Sequence, residues 1–211
     1  SRQKQLTMLA GYNNSNSVGG EYIGNDYNSC LLSSINLYNI VEDKFTKKAS
    51  IDYNKLEHLI RLGINVLDET LDYGLDLLPL EPQKKCAKEW RAIGLGVFGL
   101  ADMFVALGVK YGSKESLKYV SDIFDFMNVI ALDESANLAQ KYGAFEKYNW
   151  ESTKKSPIIK ALLYGHSDLY YKIKQLGLRN GTILSIAPTG TISLLMGGYS
   201  GGVEPLFKVS Y

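Results

Sequence analysis

The pattern that decides the fold lies in GTILSIAPTGTIS, residues 181–193. The first seven residues are mostly apolar or β-branched, which is typical of a buried strand. Pro188 and Gly190 interrupt that pattern, and the hydroxyl side chains around them are typical of a turn that leads into a helix. The stretch therefore predicts a strand, a turn and the first residues of a helix, in that order.

This turn has two interpretations. Backbone N–H groups left free at a helix N-terminus, together with Gly190 and the hydroxyls of Thr189, Thr191 and Ser193, can hold phosphate oxygens without a lysine. The same residues can also form a tight turn in which a Ser or Thr hydroxyl caps the helix. Neither a Walker motif nor a Gly-x-Gly-x-x-Gly motif is present in the stretch. The residues alone leave both interpretations open.

Two further apolar segments predict strands: CLLSSINLYNIV, residues 30–41, and LFKVSY, which begins at residue 206. Apolar spacings of three and four predict a helix from Asp52 to about Leu78, which Pro79 and Pro82 end. The apolar residues on its inner face are Leu56, Leu59, Ile60, Ile64, Leu67, Leu71 and Leu75.

Residues 89–113, EWRAIGLGVFGLADMFVALGVKYGS, predict a Gly-rich turn and then a helix from about Val97 through Leu107. Their glycines let that helix approach its neighbours closely. A second long helix is predicted from about Ser113 to Lys141, with Gly143 as its C-terminal stop, and short helices joined by loops follow over residues 144–178. The residues expected to face inward on the long helix are Leu117, Val120, Ile123, Phe124, Met127, Ile130 and Ala131.

Short apolar strands separated by long helical connections are typical of one fold class. Parallel neighbours need such crossovers, whereas antiparallel strands can be joined by short turns. No repeat or low-complexity linker divides the chain. The sequence therefore predicts a helix-rich α/β protein with a mostly parallel sheet or barrel.

Composition excludes several functions. Lys and Arg total 23 against 22 Asp and Glu, so a formal charge of +1 supplies no field that would attract nucleic acid or a membrane surface. Two cysteines are too few for a disulfide framework, and no segment has the pattern of a membrane span or a signal peptide. We expect a reduced, cytoplasmic protein that binds neither nucleic acid nor membranes.

Cysteine and histidine positions add little by themselves. Cys30 begins a strand and is either a small buried hydrophobe or a redox residue. Cys86 lies among lysines and is predicted to lie at the surface of a short helix. His58 and His166 show no metal-ligand spacing, so no metal site is predicted.

Three blocks together resemble the large catalytic chain of ribonucleotide reductases, most closely the adenosylcobalamin-dependent class. They are NSCLLSSINLYNIV (residues 28–41), RAIGLGVFGLADMFVALGVKYGS (residues 91–113) and IAPTGTISLLMGGYSGGVEPLF (residues 186–207). The similarity spans roughly residues 17–211. It implies that residues 1–211 form a single segment, the C-terminal part of a ten-stranded α/β barrel, with a finger loop at about 12–29 and a phosphate loop at about 187–193.

The resemblance also implies residue roles. Glu21 would take the 3′-hydroxyl proton of the substrate, and Cys30 would be one half of the dithiol that reduces the 2′ carbon, the other half lying upstream. Substrate would be bound by Ser17, Gly19, Gly20, Pro188, Thr189, Gly190, Thr191, Ile192 and Ser193.

One position departs from the family pattern. Gly19 stands where the radical cysteine is expected, and Ser17 stands where the family has asparagine. Glycine has no sulfur, so this chain is not expected to perform the reaction by itself. Three explanations stay open: an interrupted or split chain, a degenerate copy, or first residues that are not native reductase sequence.

The implied cofactors and partners follow from the class. The nine positions from Glu21 to Cys30 and the Gly202-Val203-Glu204-Pro205 element favour adenosylcobalamin; the alternative radical source is a separate small subunit. The implied partners are a ribonucleoside di- or triphosphate, an upstream half of the reductase, a thioredoxin- or glutaredoxin-like reductant of the dithiol, and a second copy in a homodimer. The function expected is radical reduction of ribonucleotides to deoxyribonucleotides; the alternative is an inactive nucleotide-binding or assembly module.

Overall fold

The computed structural model describes residues 15–16, 23–24, 27–29 and 31–206. The helices are α1 (Tyr53–Leu75), α2 (Glu81–Trp90), α3 (Leu100–Leu107), α4 (Lys114–Tyr142), α5 (Trp150–Thr153), α6 (Pro157–Gly165), α7 (Ser167–Leu176) and α8 (Gly190–Leu195). The strands are β1 (Ser15–Asn16), β2 (Ile23–Gly24), β3 (Leu31–Asn36), β4 (Val41–Glu42), β5 (Ser50–Ile51) and β6 (Ile93–Phe98).

Parallel pairing of β3 with β6 confirms the predicted α/β arrangement. The register runs from Leu31 opposite Ile93 to Asn36 opposite Phe98. The strand predicted from residue 30 to residue 41 is shorter than expected, because the chain turns into a 3₁₀ helix at Leu37–Ile40 and the Asn36 side chain accepts a hydrogen bond from the Tyr38 N–H.

Near residue 184 the chain runs beside β6, on the side of β6 that does not face β3. Leu184 forms a parallel bridge with Leu95, and the Leu95 N–H donates to the Ile183 carbonyl at 2.8 Å. The strand predicted at 181–187 is therefore present only as this isolated bridge beside β6. The strand predicted from residue 206 lies outside the described residues, apart from Leu206.

The predicted Gly-rich turn before residue 97 is wrong. Every residue of β6 is buried, and the helix that follows begins at Leu100. Gly96 allows a close approach, as expected of these glycines, because a Cβ there would overlap the backbone carbonyl oxygen of Ser185. The approach is between β6 and the chain beside it, however, and not between helices. Residues 93–98 can therefore form a strand even though glycine is normally poor in strands.

Helix α1 packs against the sheet and against α4. Its side chains Leu56, Ile60 and Ile64 are fully buried, as the spacing predicts, and each such side chain contributes about 1.5–3 kcal/mol on burial. The helix begins where the Asp52 carboxylate accepts from the Lys55 N–H, and it ends at Leu75, before the predicted end at about Leu78.

Helix α4 confirms the predicted long helix with one exception on its inner face. Ile123, Met127 and Ala131 are buried, but Leu117 is 62% exposed. In this first turn of α4 the buried residue is the preceding one, Ser116, which is 2% exposed. The inward face of the turn therefore lies one residue before the predicted position.

The predicted surface position of Cys86 is also wrong. Cys86 lies on α2, as expected for a short helix, but it is 8% exposed, and its thiol lies 3.8 Å from Asn28 Oδ1. The short helices predicted over residues 144–178 are present as α5, α6 and α7. In the described part of the chain, no helix combines the length and the apolar character needed to cross a membrane.

Buried polar side chains join α1 and α4 to the start of residues 181–185, which run beside β6. Asn180 is 1% exposed; its amide donates to Asp68 Oδ1 at 2.7 Å and its Oδ1 accepts from the Ser135 hydroxyl at 3.0 Å. Because Asp68 belongs to α1 and Ser135 to α4, both helices fix the point from which the chain enters residues 181–185.

Candidate functional site

The predicted phosphate loop begins at the carboxyl ends of the parallel strands. β3 ends at Asn36, β6 ends at Phe98, and the chain beside them runs through the Leu184 bridge into residues 187–193. In α/β proteins, ligands bind at this edge of a parallel sheet, because the loops that follow the strands meet there. The fold therefore places residues 187–193 at a position suited to ligand binding.

Helix α8 begins directly after Thr189, which has a left-handed conformation with φ 55° and ψ 22°. No side chain caps the helix. The Ser193 N–H donates to the Thr189 carbonyl at 2.8 Å, whereas the N–H groups of Gly190, Thr191 and Ile192 have no acceptor among the described residues. These N–H groups are available to an anion.

Two of the predicted hydroxyl groups have internal partners. Thr189 is 8% exposed; its hydroxyl donates to the Pro188 carbonyl at 2.8 Å and accepts from the Gly202 N–H at 2.9 Å. The buried Ser193 hydroxyl donates to the Gly190 carbonyl at 3.1 Å. These hydroxyls hold the loop in shape, and the exposed groups of the loop are Pro188, Gly190, Thr191 and Ile192.

Backbone groups supply the positive potential of the loop itself. Residues 181–206 carry one charged side chain, that of Glu204, and contain no Lys or Arg. A phosphate bound at this loop would therefore be held by N–H dipoles and the Thr191 hydroxyl, with any cation supplied from another part of the chain or from a partner.

The sequence patterns did not predict the role of residues 197–202, which pack against the phosphate loop. The ring of Tyr199 lies 5.3 Å from that of Tyr38 and 6.2 Å from that of Phe98. At Gly202, φ is +47°, and an added Cβ would lie 2.9 Å from the Ala187 carbonyl oxygen. The glycines in GGYSGG, residues 197–202, were the signal that could have indicated this close approach.

The other predicted site residues lie outside the described part of the chain. They are Ser17, Gly19, Gly20, Glu21 and Cys30. On either side of residues 17–22, the backbone forms an antiparallel pair in which Ser15 is opposite Gly24 and Asn16 is opposite Ile23.

Two concave surfaces lie elsewhere, between α4, α6 and α7. One has a volume of about 340 Å³ and the other about 390 Å³, and His166 lines both. No predicted site residue lines either of them. Within the described ranges, no three His, Cys, Asp or Glu side chains are grouped so that they could hold a metal ion.

The chain matches one protein family over almost its whole length. The family model described as "Ribonucleotide reductase, barrel domain" matches residues 9–211. A vitamin B12-dependent ribonucleoside-diphosphate reductase of Thermoplasma acidophilum is 34% identical over 185 residues, and one of Mycobacterium tuberculosis is 30% identical over 185 residues; both alignments cover 88% of this chain. A ribonucleoside-diphosphate reductase subunit alpha of Helicobacter pylori is 32% identical over 195 residues, which cover 85% of this chain.

The relatives are much longer proteins. The aligned part makes up 21% of the Thermoplasma acidophilum protein and 23% of the Mycobacterium tuberculosis and Helicobacter pylori proteins, so the chain spans about a fifth of the relatives it matches. Their names agree with the resemblance carried by the three sequence blocks. The match over residues 9–211 shows that this chain belongs to the ribonucleotide reductase family, with the α/β fold of the family's barrel domain.

Proposed function

We propose that this chain takes part in the radical reduction of ribonucleotides to deoxyribonucleotides, and that the phosphate loop binds the substrate phosphates. The observation that carries the proposal is that the exposed residues Gly190, Thr191 and Ile192 have backbone N–H groups with no acceptor among the described residues, at the carboxyl ends of parallel strands. Family membership supplies the substrate class that this donor arrangement suits.

The substrate proposed is a ribonucleoside diphosphate. The Thermoplasma acidophilum and Mycobacterium tuberculosis relatives are named ribonucleoside-diphosphate reductases. A diphosphate carries oxygens that can accept from several N–H groups at once, and the approach to Gly190 is open, because an added Cβ there would meet no atom within 4 Å.

The remaining roles rest on the resemblance. Glu21 would accept the 3′-hydroxyl proton, and Cys30 would provide one thiol of the dithiol that reduces the 2′ carbon and is restored by a thioredoxin- or glutaredoxin-like protein. Ser17, Gly19 and Gly20 would lie against the substrate. The second thiol and the radical cysteine would come from an upstream half of the reductase, and a homodimer is a further proposed assembly.

Adenosylcobalamin is the proposed radical source, because two relatives are named vitamin B12-dependent. When bound, this cofactor would supply the radical that starts the reaction. Neither of the two cavities between α4, α6 and α7, of about 340 and 390 Å³, matches adenosylcobalamin, since cavities of this size are in the range of drug-sized ligands and adenosylcobalamin is much larger. A separate small subunit is the alternative radical source.

Gly19 favours a second candidate function. A chain without the radical thiol can still bind nucleotide, so it could serve as an inactive binding or assembly module. The activity of the unmodified chain, reconstituted with an upstream half of the reductase, distinguishes the two functions. Deoxynucleotide formation that depends on a dithiol reductant would support the enzyme, whereas nucleotide binding without turnover would support the module.

Calorimetry of ADP binding to a reconstituted reductase tests the phosphate loop. Gly190→Val places a side chain in the open space where the phosphate would lie, and Thr191→Ala removes an exposed hydroxyl. We expect Gly190→Val to weaken binding at least about 10-fold and Thr191→Ala about 3-fold or more. The matched controls are Gly165→Val, which also enters open space on a helix, and Thr70→Ala on exposed α1 surface. Unchanged affinity in Gly190→Val would contradict the proposal.

A further inference from the structure

Asp102 and Ser200 form a polar contact between α3 and the segment behind the phosphate loop. Asp102 lies in the first turn of α3, and its Oδ2 accepts from the Ser200 N–H at 2.8 Å and from the Ser200 hydroxyl at 2.7 Å. Ser200 is 9% exposed, so both bonds are largely shielded from water. Hydrogen bonds to a carboxylate are stronger than those between neutral groups.

The residue that precedes α3, Gly99, binds the backbone carbonyl group of Ser200. The Gly99 N–H donates to the Ser200 carbonyl at 2.8 Å. Gly99 has φ +71°, and a Cβ there would lie 2.8 Å from Asn36 Oδ1, so the strand ends and α3 fix the position of this donor. The N–H, hydroxyl and carbonyl groups of Ser200 are thus all bonded to Gly99 and Asp102, in the segment that follows β6.

From Ser200 the contacts continue directly to the phosphate loop. The Gly202 N–H donates to the Thr189 hydroxyl at 2.9 Å, and a Cβ at Gly201 would lie 2.6 Å from the Pro188 carbonyl oxygen. Residues 200–202 therefore lie between Asp102 and the residue that immediately precedes α8. A shift of Ser200 would remove the support behind Thr189.

We propose that Asp102 is a positioning residue for the substrate phosphate site: through Ser200 and Gly202 it holds Thr189 in the conformation that exposes the N–H groups of α8. This inference rests on the proposed function of the phosphate loop. Donors held in fixed directions before a ligand arrives bind it more tightly than donors that must first be ordered. Asp102 touches no substrate; its effect is transmitted by the loop.

The test compares Asp102→Ala, which removes the acceptor, with Asp102→Asn, which keeps an acceptor oxygen. In the reconstituted reductase, we expect Asp102→Ala to weaken ADP binding about 10-fold, while Asp102→Asn stays within about 3-fold of the unmodified protein. In Asp102→Ala, the amides of Ser200 and Gly202 should exchange with solvent roughly 10-fold faster. Asp168→Ala is the control, because Asp168 is also acidic in a first helical turn, that of α7, and is exposed.

The outcomes separate this inference from the proposed function. If Gly190→Val weakens ADP binding and Asp102→Ala changes neither binding nor amide exchange, the role of Asp102 is overturned while the phosphate loop stands. Equal loss in Asp102→Asn and Asp102→Ala also overturns it. If Gly190→Val has no effect, both proposals fail. Should Asp102→Ala not fold, Ser200→Ala decides: it removes one of the two bonds, so about 3-fold weaker binding supports the inference and unchanged binding overturns it.

Discussion

Asp68 and Arg91 form an ion pair inside the protein, with Arg91 Nη2 2.8 Å from Asp68 Oδ1 and side chains only 6% and 4% exposed for Arg91 and Asp68. Arg91 lies just before β6, and Asn180, which donates to the same carboxylate oxygen, lies just before residues 181–185. One carboxylate on α1 thus fixes the starts of two neighbouring strands. The register that brings their carboxyl ends together depends on it.

Asp68→Asn should destabilise the fold strongly. The change leaves the Arg91 guanidinium buried with part of its charge uncompensated, and breaking a buried pair in this way costs about 3–5 kcal/mol. Urea unfolding followed by circular dichroism measures the free energy of unfolding. Asp76→Asn is the control, because that side chain is 90% exposed and should change stability by less than about 0.5 kcal/mol. Equal losses in the two variants would contradict a special role for Asp68.

Gly96→Ala should destabilise the sheet. Its new methyl group would overlap the Ser185 carbonyl oxygen, and backbone must move to relieve the overlap, at a cost of about 1–3 kcal/mol. Gly74→Ala is the matched control: Gly74 lies in α1 with open space around it, so alanine there should stabilise by about 0.5–1 kcal/mol. Thermal unfolding of both variants checks the prediction, which fails if they shift the midpoint in the same direction.

Thr189→Val should destabilise the phosphate loop, whereas Thr189→Ser should not. Valine has nearly the same shape but cannot accept from the Gly202 N–H or donate to the Pro188 carbonyl, and unpaired buried groups cost about 1–3 kcal/mol. Limited proteolysis within residues 187–206 measures the opening of this segment. Equal cleavage rates in the serine and valine variants would show that the hydroxyl does not hold the loop.

The contact between α1, α4 and α7 should make stability depend on pH below about 4.5. Burial opposes ionisation of Asp133 and Glu134, but hydrogen bonds outweigh it and lower both carboxyl pKa values; the donors are Lys172 and Arg61 for Asp133, and Asn65, Arg61 and Asn137 for Glu134. The resulting stabilisation is complete above the ordinary pKa values of 3.8 and 4.5, and it is lost as the pH falls through the lower folded values.

Arg61→Gln tests this pH dependence. The variant lacks one donor to each carboxylate. Between about pH 6 and pH 3, its free energy of unfolding should therefore decrease by about 1 kcal/mol less than that of the unmodified protein. Lys118→Gln is the control, because Lys118 pairs with Asp122 at an exposed position and should leave the slope almost unchanged. Parallel slopes in the original protein and in Arg61→Gln would contradict the prediction.

Local patterns predicted the helices well, because a helix is defined by neighbours three and four residues apart. The buried residues Leu56, Ile60 and Ile64 were therefore predictable, and so was the glycine stop at residue 143, where φ is +88°. The exposure of Leu117 was not, because the buried residue in the first turn of α4 is the polar Ser116, which an apolar pattern does not select. Cys86 is similar: its neighbouring lysines indicate a surface, but the thiol faces Asn28, whose position the helix pattern does not contain.

The loop could be predicted from its residue types, but its internal bonding could not. Hydroxyls at Thr189 and Ser193 are compatible with a ligand or with the backbone, and the choice for Thr189 depends on Gly202, which is 13 residues later in the chain. The same limit applies to Gly96 in β6, which is explained by Ser185, and to the Asp102–Ser200 contact, which joins residues 98 positions apart. In each case the missing information is a distant partner.

The pairing of β6 with residues 182–185 has a consequence for the order of folding. Thr182 and Ile93 are 89 residues apart and are joined by a hydrogen bond, so their contact must overcome a large loop-closure entropy, whereas α1 and α4 need only local contacts. In refolding followed by pulsed hydrogen exchange, amides of α1 should gain protection before those of Leu95 and Ser185. Simultaneous protection would contradict this order. If it holds, a chain emerging from the ribosome has its helical layer in place while the edge formed by β6 and residues 182–185 is still unfolded, and this edge is the part that a chaperone or protease would encounter first.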